Sequence, residues 1–162
     1  MTVKFEKNGS SSIENSSLNC YRYNGSNICS ILLPKITAAS GFSVIGWGSS
    51  AASTSAVGNT GQQISLSKNT TYYAITKSIN PYTATFEKNG SSNVGSSSLG
   101  CHRYNGAKNC SITMPKITPA SGFNVVGWSN VKDSLVSGAT VGQKVNLASS
   151  IKYYAITKSN NY

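Results

Sequence analysis

Acidic residues are scarce in this chain. Its 162 residues include only 4 Asp plus Glu and a single His, and charged residues make up 11%. That is less than half the usual charged share. A coiled coil is excluded, because it needs many Glu, Lys and Leu. No apolar run approaches the roughly 20 residues of a membrane-spanning helix, so no membrane insertion is expected of this segment. Cys-x-x-Cys pairs are absent as well, which argues against a compact zinc site. A flexible tail is excluded by what is present: 9 Tyr, 4 Phe and 2 Trp are ample material for packed cores.

The few acids face 14 Lys plus Arg, a formal charge of +10. Most Lys therefore lack an ion-pair partner. Such a surface attracts polyanions through a salt-sensitive field, and host or cell-wall glycans and teichoic acids fit that description. The bases are spread along the chain: residues 1–80 hold six bases and two acids, and residues 81–162 hold eight and two. Neither half is a basic arm. Thr2–Glu6 reads as a strand and not as the apolar core of a secretion signal. If the protein is extracellular, the expectation is a piece cut from a longer exported chain.

Internal repetition dominates the sequence. Cys20 and Cys101 lie 81 positions apart, as do Cys29 and Cys110, Trp47 and Trp128, and Tyr72 and Tyr153. The register runs without a gap from Thr2–Ser78 to Thr83–Ser159, and about half of the aligned positions are identical. Two domains are expected, residues 1–80 and 81–162. Pro81 stiffens their junction, and a semi-rigid rod is the expected arrangement. Gly48–Thr60 and Ser129–Val141 differ between the copies and read as a surface loop.

Within each copy, period-two patterns prevail. Val3 and Phe5 alternate with Lys4 and Glu6, giving a half-buried strand that ends at the Asn8–Gly9 turn. Tyr72–Lys77 is aromatic and β-branched on both faces, which suits a central strand. Phe42–Trp47 and Lys144–Leu147 are further strands. Ile36–Ser40 is a candidate short helix, opposed by Pro119 in the second copy.

The cysteines sit around a turn. In Cys20–Cys29, Asn24–Gly25 is a strong type I′ signal, because both central residues need positive φ. Counting outward, Tyr23 faces Ser26, Arg22 faces Asn27, Tyr21 faces Ile28 and Cys20 faces Cys29. A two-stranded ribbon is thus expected, with the cysteines at a non-hydrogen-bonded pair whose Cα atoms approach to about 4.5 Å. Asn105–Gly106 repeats this between Cys101 and Cys110. Metal binding and a pair of reduced core cysteines are the competing arrangements. A disulfide fits a unit of this size, whose core is thin, and implies an oxidising compartment outside the cytoplasm.

Three blocks carry a family resemblance. Tyr82–Gly90 resembles the opening "YTVTFxxNG" of the Listeria–Bacteroides repeat, the B-repeat of internalins. Gly122–Trp128 is similar to its "GYTFxGW" centre, and Tyr153–Lys158 to its closing "xLYAxW". The resemblance implies a β-grasp-like α+β repeat, built into tandem stalks on surface proteins of Gram-positive and gut bacteria. It supplies no catalytic residue. The closing Trp is replaced here by Lys77 and Lys158, and the cysteine pair is an addition.

Chemistry finds little footing. Only Glu6 and Glu87 recur among the acids, and alternation with Phe5 and Phe86 places them outward. His102 stands where the first copy has Tyr21, so no shared His mechanism exists. Ser lacks a GxSxG setting. No enzyme activity, cofactor or metal is expected. For binding, Tyr21, Arg22 and Tyr23, with His102, Arg103 and Tyr104, flank the two turns, and Tyr and Arg are good contact residues. Ordered aromatic platforms for nucleic acid are not evident. The expected protein is a secreted or cell-surface adhesin segment that acts as spacer or display module. A polyanion- or glycan-binding module is the alternative, and neighbouring repeats of the same longer chain are expected partners.

Overall fold

The computed structural model describes residues 1–161; Tyr162, the last residue of the second expected domain, lies outside them. Every regular element among the described residues is a strand. The chain forms two compact units. The first is Met1–Asn80 together with Arg103–Ala107; the second is Pro81–His102 together with the chain from Lys108 onward.

The first unit contains β1 (Thr2–Glu6), β2 (Ser12–Ile13), β3 (Ser17–Asn19), β4 (Cys29–Leu32), β5 (Ile36–Thr37), β6 (Phe42–Gly48), β7 (Gln63–Leu66) and β8 (Thr70–Ser78). Its main sheet has the order β3-β1-β8-β6. The alternation of β1 holds: Val3 and Phe5 are buried, and Thr2, Lys4 and Glu6 are exposed. The following turn has positive φ at Asn8 (48°) and Gly9 (86°), and the Lys7 carbonyl accepts the Ser10 N–H at 2.9 Å. β8 is central as its composition requires. It runs parallel to β1, with Phe5 opposite Tyr72, and antiparallel to β6, with Trp47 opposite Ala74.

A bulge between Val44 and Gly46 interrupts β6. Gly46 has φ 147°, and a Cβ there would lie 2.6 Å from the Gly58 carbonyl oxygen. Only glycine allows this approach. The ribbon β4–β7 supplies the opposing layer, with Ile31 opposite Ile64. Val3, Phe5 and Trp47 from the sheet share one core with Cys29, Ile31 and Leu66 from the ribbon.

The second unit repeats this plan with β9 (Tyr82–Glu87), β10 (Asn93–Val94), β11 (Ser98–Cys101), β12 (Cys110–Thr113), β13 (Ile117–Thr118), β14 (Phe123–Ser129), β15 (Lys144–Leu147) and β16 (Ile151–Ser159). The sheet order is β11-β9-β16-β14, and β12 pairs with β15. Phe86, Trp128, Met114 and Leu147 lie in a core of its own.

The mostly-β, two-unit expectation holds. Its helical component does not: no helix occurs among the described residues. The candidate helix at Ile36–Ser40 is instead β5, paired through Ile36 with Ile13, followed by a turn in which Phe42 N–H donates to the Ala39 carbonyl at 3.0 Å. Gly41 adopts φ 82° inside that turn. A left-handed residue so soon after Pro34 leaves no room for a helical turn to propagate.

Candidate interaction site at the cystine tips

Both cystines form. Cys20 and Cys29 have Cα atoms 5.7 Å apart, and Cys101 and Cys110 5.8 Å. No cysteine among the described residues is free. The surroundings differ from the expected ribbon. Cys20 follows β3, which pairs with β1 through Asn19 and Thr2. Cys29 opens β4, which pairs with β7 through Leu66. The cystine therefore joins the main sheet to the opposing ribbon. It does not clip two strands of one hairpin.

The turn itself is as read: φ is 53° at Asn24 and 73° at Gly25, and Ser26 N–H donates to the Tyr23 carbonyl at 3.0 Å. The flanking ladder is absent from both tips, because the arms pair elsewhere: one with the main sheet, the other with the opposing ribbon. The Ser26 hydroxyl accepts the Ile28 N–H and donates to the Ile28 carbonyl, each at 3.2 Å. In the first tip a side chain thus holds both main-chain groups of Ile28, whereas Ala107 at the matching position of the second has no hydroxyl to do so.

The first tip, residues 21–28, is exposed throughout. Tyr21 and Tyr23 are 65% and 72% exposed, and with Ser26 and Ile28 they line a shallow groove. Arg22 stands between the two rings in sequence and is exposed as well.

The second tip has the same turn, with φ 56° at Asn105 and 74° at Gly106, but a different situation. His102, Arg103 and Tyr104 are half-buried, and Arg103–Ala107 is part of the first unit. There it lies along the end of β8. Ser78 N–H donates to the Arg103 carbonyl at 2.8 Å, and Asn105 N–H donates to the Thr76 carbonyl at 2.9 Å. Arg103 N–H donates to the Ser78 hydroxyl at 3.0 Å. The Asn105 side chain completes the fit: its Oδ1 accepts the Thr76 N–H at 3.1 Å. Its Nδ2 donates to the carbonyls of Ala51 and Ser53 at 3.3 and 3.2 Å. The Arg103 guanidinium lies 5.3 Å from the Phe42 ring centre, and the Lys77 ammonium 5.9 Å from that of Tyr104.

Thr76, Ser78 and Gly9 thus belong to this site, and the sequence reading did not single them out. The available signal was a polar pair, Thr76 and Ser78, kept in both copies at the end of the central strand. Elsewhere, burial raises the phenol pKa of Tyr72 and Tyr153 above the ordinary 10.0. Glu6 and Glu87 face solvent. The Glu87–Lys152 ion pair, at 3.6 Å, is half exposed on both sides and contributes little. No group of three or more His, Cys, Asp or Glu able to hold a metal occurs among the described residues.

Gly9 offers a direct probe of this packing. A Cβ on Gly9 would stand 2.1 Å from the Asn105 carbonyl oxygen, whereas one on Gly90, its counterpart in the second unit, would meet nothing within 4 Å. Both glycines have positive φ, 86° and 90°, so alanine strains either turn alike. The clash is the difference between them. Gly9→Ala is expected to release Arg103–Ala107 and raise hydrogen exchange of the Ser78 and Asn105 amides by about tenfold or more. Gly90→Ala should leave those amides as they are. Equal protection in both variants would contradict the packing.

Residues 2–75 match the family model of the Listeria-Bacteroides repeat domain. Nearly the whole first copy is therefore similar to a repeat module of surface proteins, as its motifs suggested. The second copy keeps those motifs in register. No curated protein and no solved structure matches the chain.

Proposed function

We propose that this chain is a non-catalytic repeat segment of a secreted or cell-surface bacterial adhesin, serving as spacer or display module. The observation that carries the reading is the cystine that ties two layers together in each of two like units. A spacer has to keep its fold under extension, and a covalent tie between layers limits how far each unit can be drawn out. Single-molecule pulling of the whole chain should give two unfolding events of similar contour length. Reductant should lengthen each by about 25 Å, from a separation of 9 residues at about 3.3–3.6 Å per extended residue less the Cα span. Extension without force peaks would overturn the spacer role.

A second reading is supported by the exposed Arg22 and Tyr23 and the charge of +10: the chain binds a polyanionic or sulfated glycan. Heparin retention tests it. The protein should elute above physiological salt, and Arg22→Ala should lower the eluting salt concentration. Arg103→Ala should matter less, because Arg103 is half-buried over Phe42. Elution at physiological salt, or no effect of both substitutions together, ends this reading.

A further inference from the structure

The two tips share one sequence, Arg-Tyr-Asn-Gly, and one backbone conformation. The sites able to receive such a tip also recur. In the first unit the site holds Asn105 between β8 and the loop carbonyls of Ala51 and Ser53. Its counterpart in the second unit, 81 positions on, is formed by Thr157, Ser159, Gly90, Lys132 and Ser134. It is open. Thr76 and Ser78 are 0% and 2% exposed beneath the tip, whereas Thr157 is half-buried and Ser159 exposed. Phe123, the counterpart of the ring under Arg103, is 41% exposed. A groove lined by Val126, Ser134, Leu135, Thr157 and Lys158 runs where the Asn side chain would enter. Nothing stands within 4 Å of a Cβ built on Gly90 or on Gly25.

We propose that this groove is a docking site for the Arg22–Gly25 tip of a second copy of the chain. Asn24 would accept the Thr157 N–H through Oδ1 and donate through Nδ2 to the carbonyls of Lys132 and Ser134. The Lys132 carbonyl already accepts the Asn89 side chain at 3.0 Å. So does its counterpart Ala51, from Asn8, while also accepting Asn105, since a carbonyl has two lone pairs. The Arg22 backbone would pair with Ser159 as Arg103 pairs with Ser78. Donor and recipient surfaces are different patches of one molecule. The contact is therefore heterologous and builds open chains of molecules, not closed dimers. Two copies each carrying +10 repel, so added salt strengthens this association by screening. It weakens polyanion binding, which keeps the two readings separable.

The experiment follows backbone amides of the isotope-labelled whole chain by NMR, from about 0.05 to 2 mM protein, the range in which weak contacts populate. Concentration-dependent shifts are expected at Gly90, Ser134 and Thr157–Ser159 together with Arg22–Gly25, and they should grow with salt. Asn24→Asp tolerates positive φ and keeps the turn, but it removes the donor and sets a carboxylate against two carbonyls. It should abolish the shifts while the remaining spectrum stays native. Ser159→Ala, acting from the receiving side, should weaken the association by about fivefold, the effect of one hydrogen bond. Amide positions that do not change with concentration, or shifts that survive Asn24→Asp, overturn the proposal.

Discussion

Trp47→Ala is expected to remove most of the stability of the first unit. Trp47 is fully buried, its ring stands edge-on to Phe5 at 4.9 Å, and its Nε1–H donates to the Pro34 carbonyl at 2.9 Å. Its backbone N–H also donates to the Gly58 carbonyl at 2.8 Å, which holds the variable loop against β6. Truncating a buried Trp costs about 3–5 kcal/mol. A unit of this size has only about 4–12 kcal/mol in total, at 0.05–0.15 kcal/mol per residue. The midpoint of thermal unfolding should fall by roughly 15–30 °C. Trp47→Phe keeps much of the ring volume but leaves the Pro34 carbonyl without its donor, and about 1–3 kcal/mol should be lost. The chain contains only two Trp, so each single variant retains one fluorescent reporter, in the other unit. In Trp47→Ala, Trp128 emission should report a later transition than the first change in circular dichroism. The mirror variant Trp128→Ala, which removes the bond to the Pro115 carbonyl, should exchange the order. A single transition within 1 kcal/mol of the parent would show that the Trp is not a keystone of its core.

The sequence revealed the pieces better than their partners. The alternation of Val3 and Phe5 set the inward face of β1, and the two-faced composition of Tyr72–Lys77 put β8 in the middle of the sheet. Both features lie within a few residues. The parallel pairing of β1 with β8 joins residues 67 positions apart, and nothing local to either strand specifies it. The cystine tip shows the same limit. Asn24–Gly25 fixed the turn correctly, because positive φ is a property of those two residues. The arms were assigned to each other, because a hairpin is the nearest solution; in the structure β3 has gone to β1 and β4 to β7. The site was legible as composition only. Arg22–Gly25 and Arg103–Gly106 are identical in sequence, yet the first is exposed and the second lies along Thr76–Ser78. That difference arises from tertiary packing, which no window of sequence contains.

Because each cystine ties two layers, breaking it should loosen far more than a tip. Closing a loop of about ten residues stabilises a fold by about 2–3 kcal/mol in the chain-entropy picture. Against about 4–12 kcal/mol for the unit, that is a large fraction. Cys20→Ala with Cys29→Ala is expected to lower the unfolding free energy of the first unit by this amount, read by denaturant titration. Reductant added to the unaltered protein should act on both units. Where the loss appears separates the observed arrangement from a simple clipped ribbon. A ribbon clip would free only residues 21–28, which are exposed already. A tie between layers also holds the β4–β7 ribbon against Val3, Phe5 and Trp47. In the double variant, hydrogen exchange should therefore accelerate at Ile31 and Ile64, facing residues of that ribbon, while amides on the β1–β8 seam keep more of their protection. Loss of protection confined to the tip, or a stability change below about 0.5 kcal/mol, a size typical of neutral surface substitutions, would show that the two layers hold together without the covalent tie.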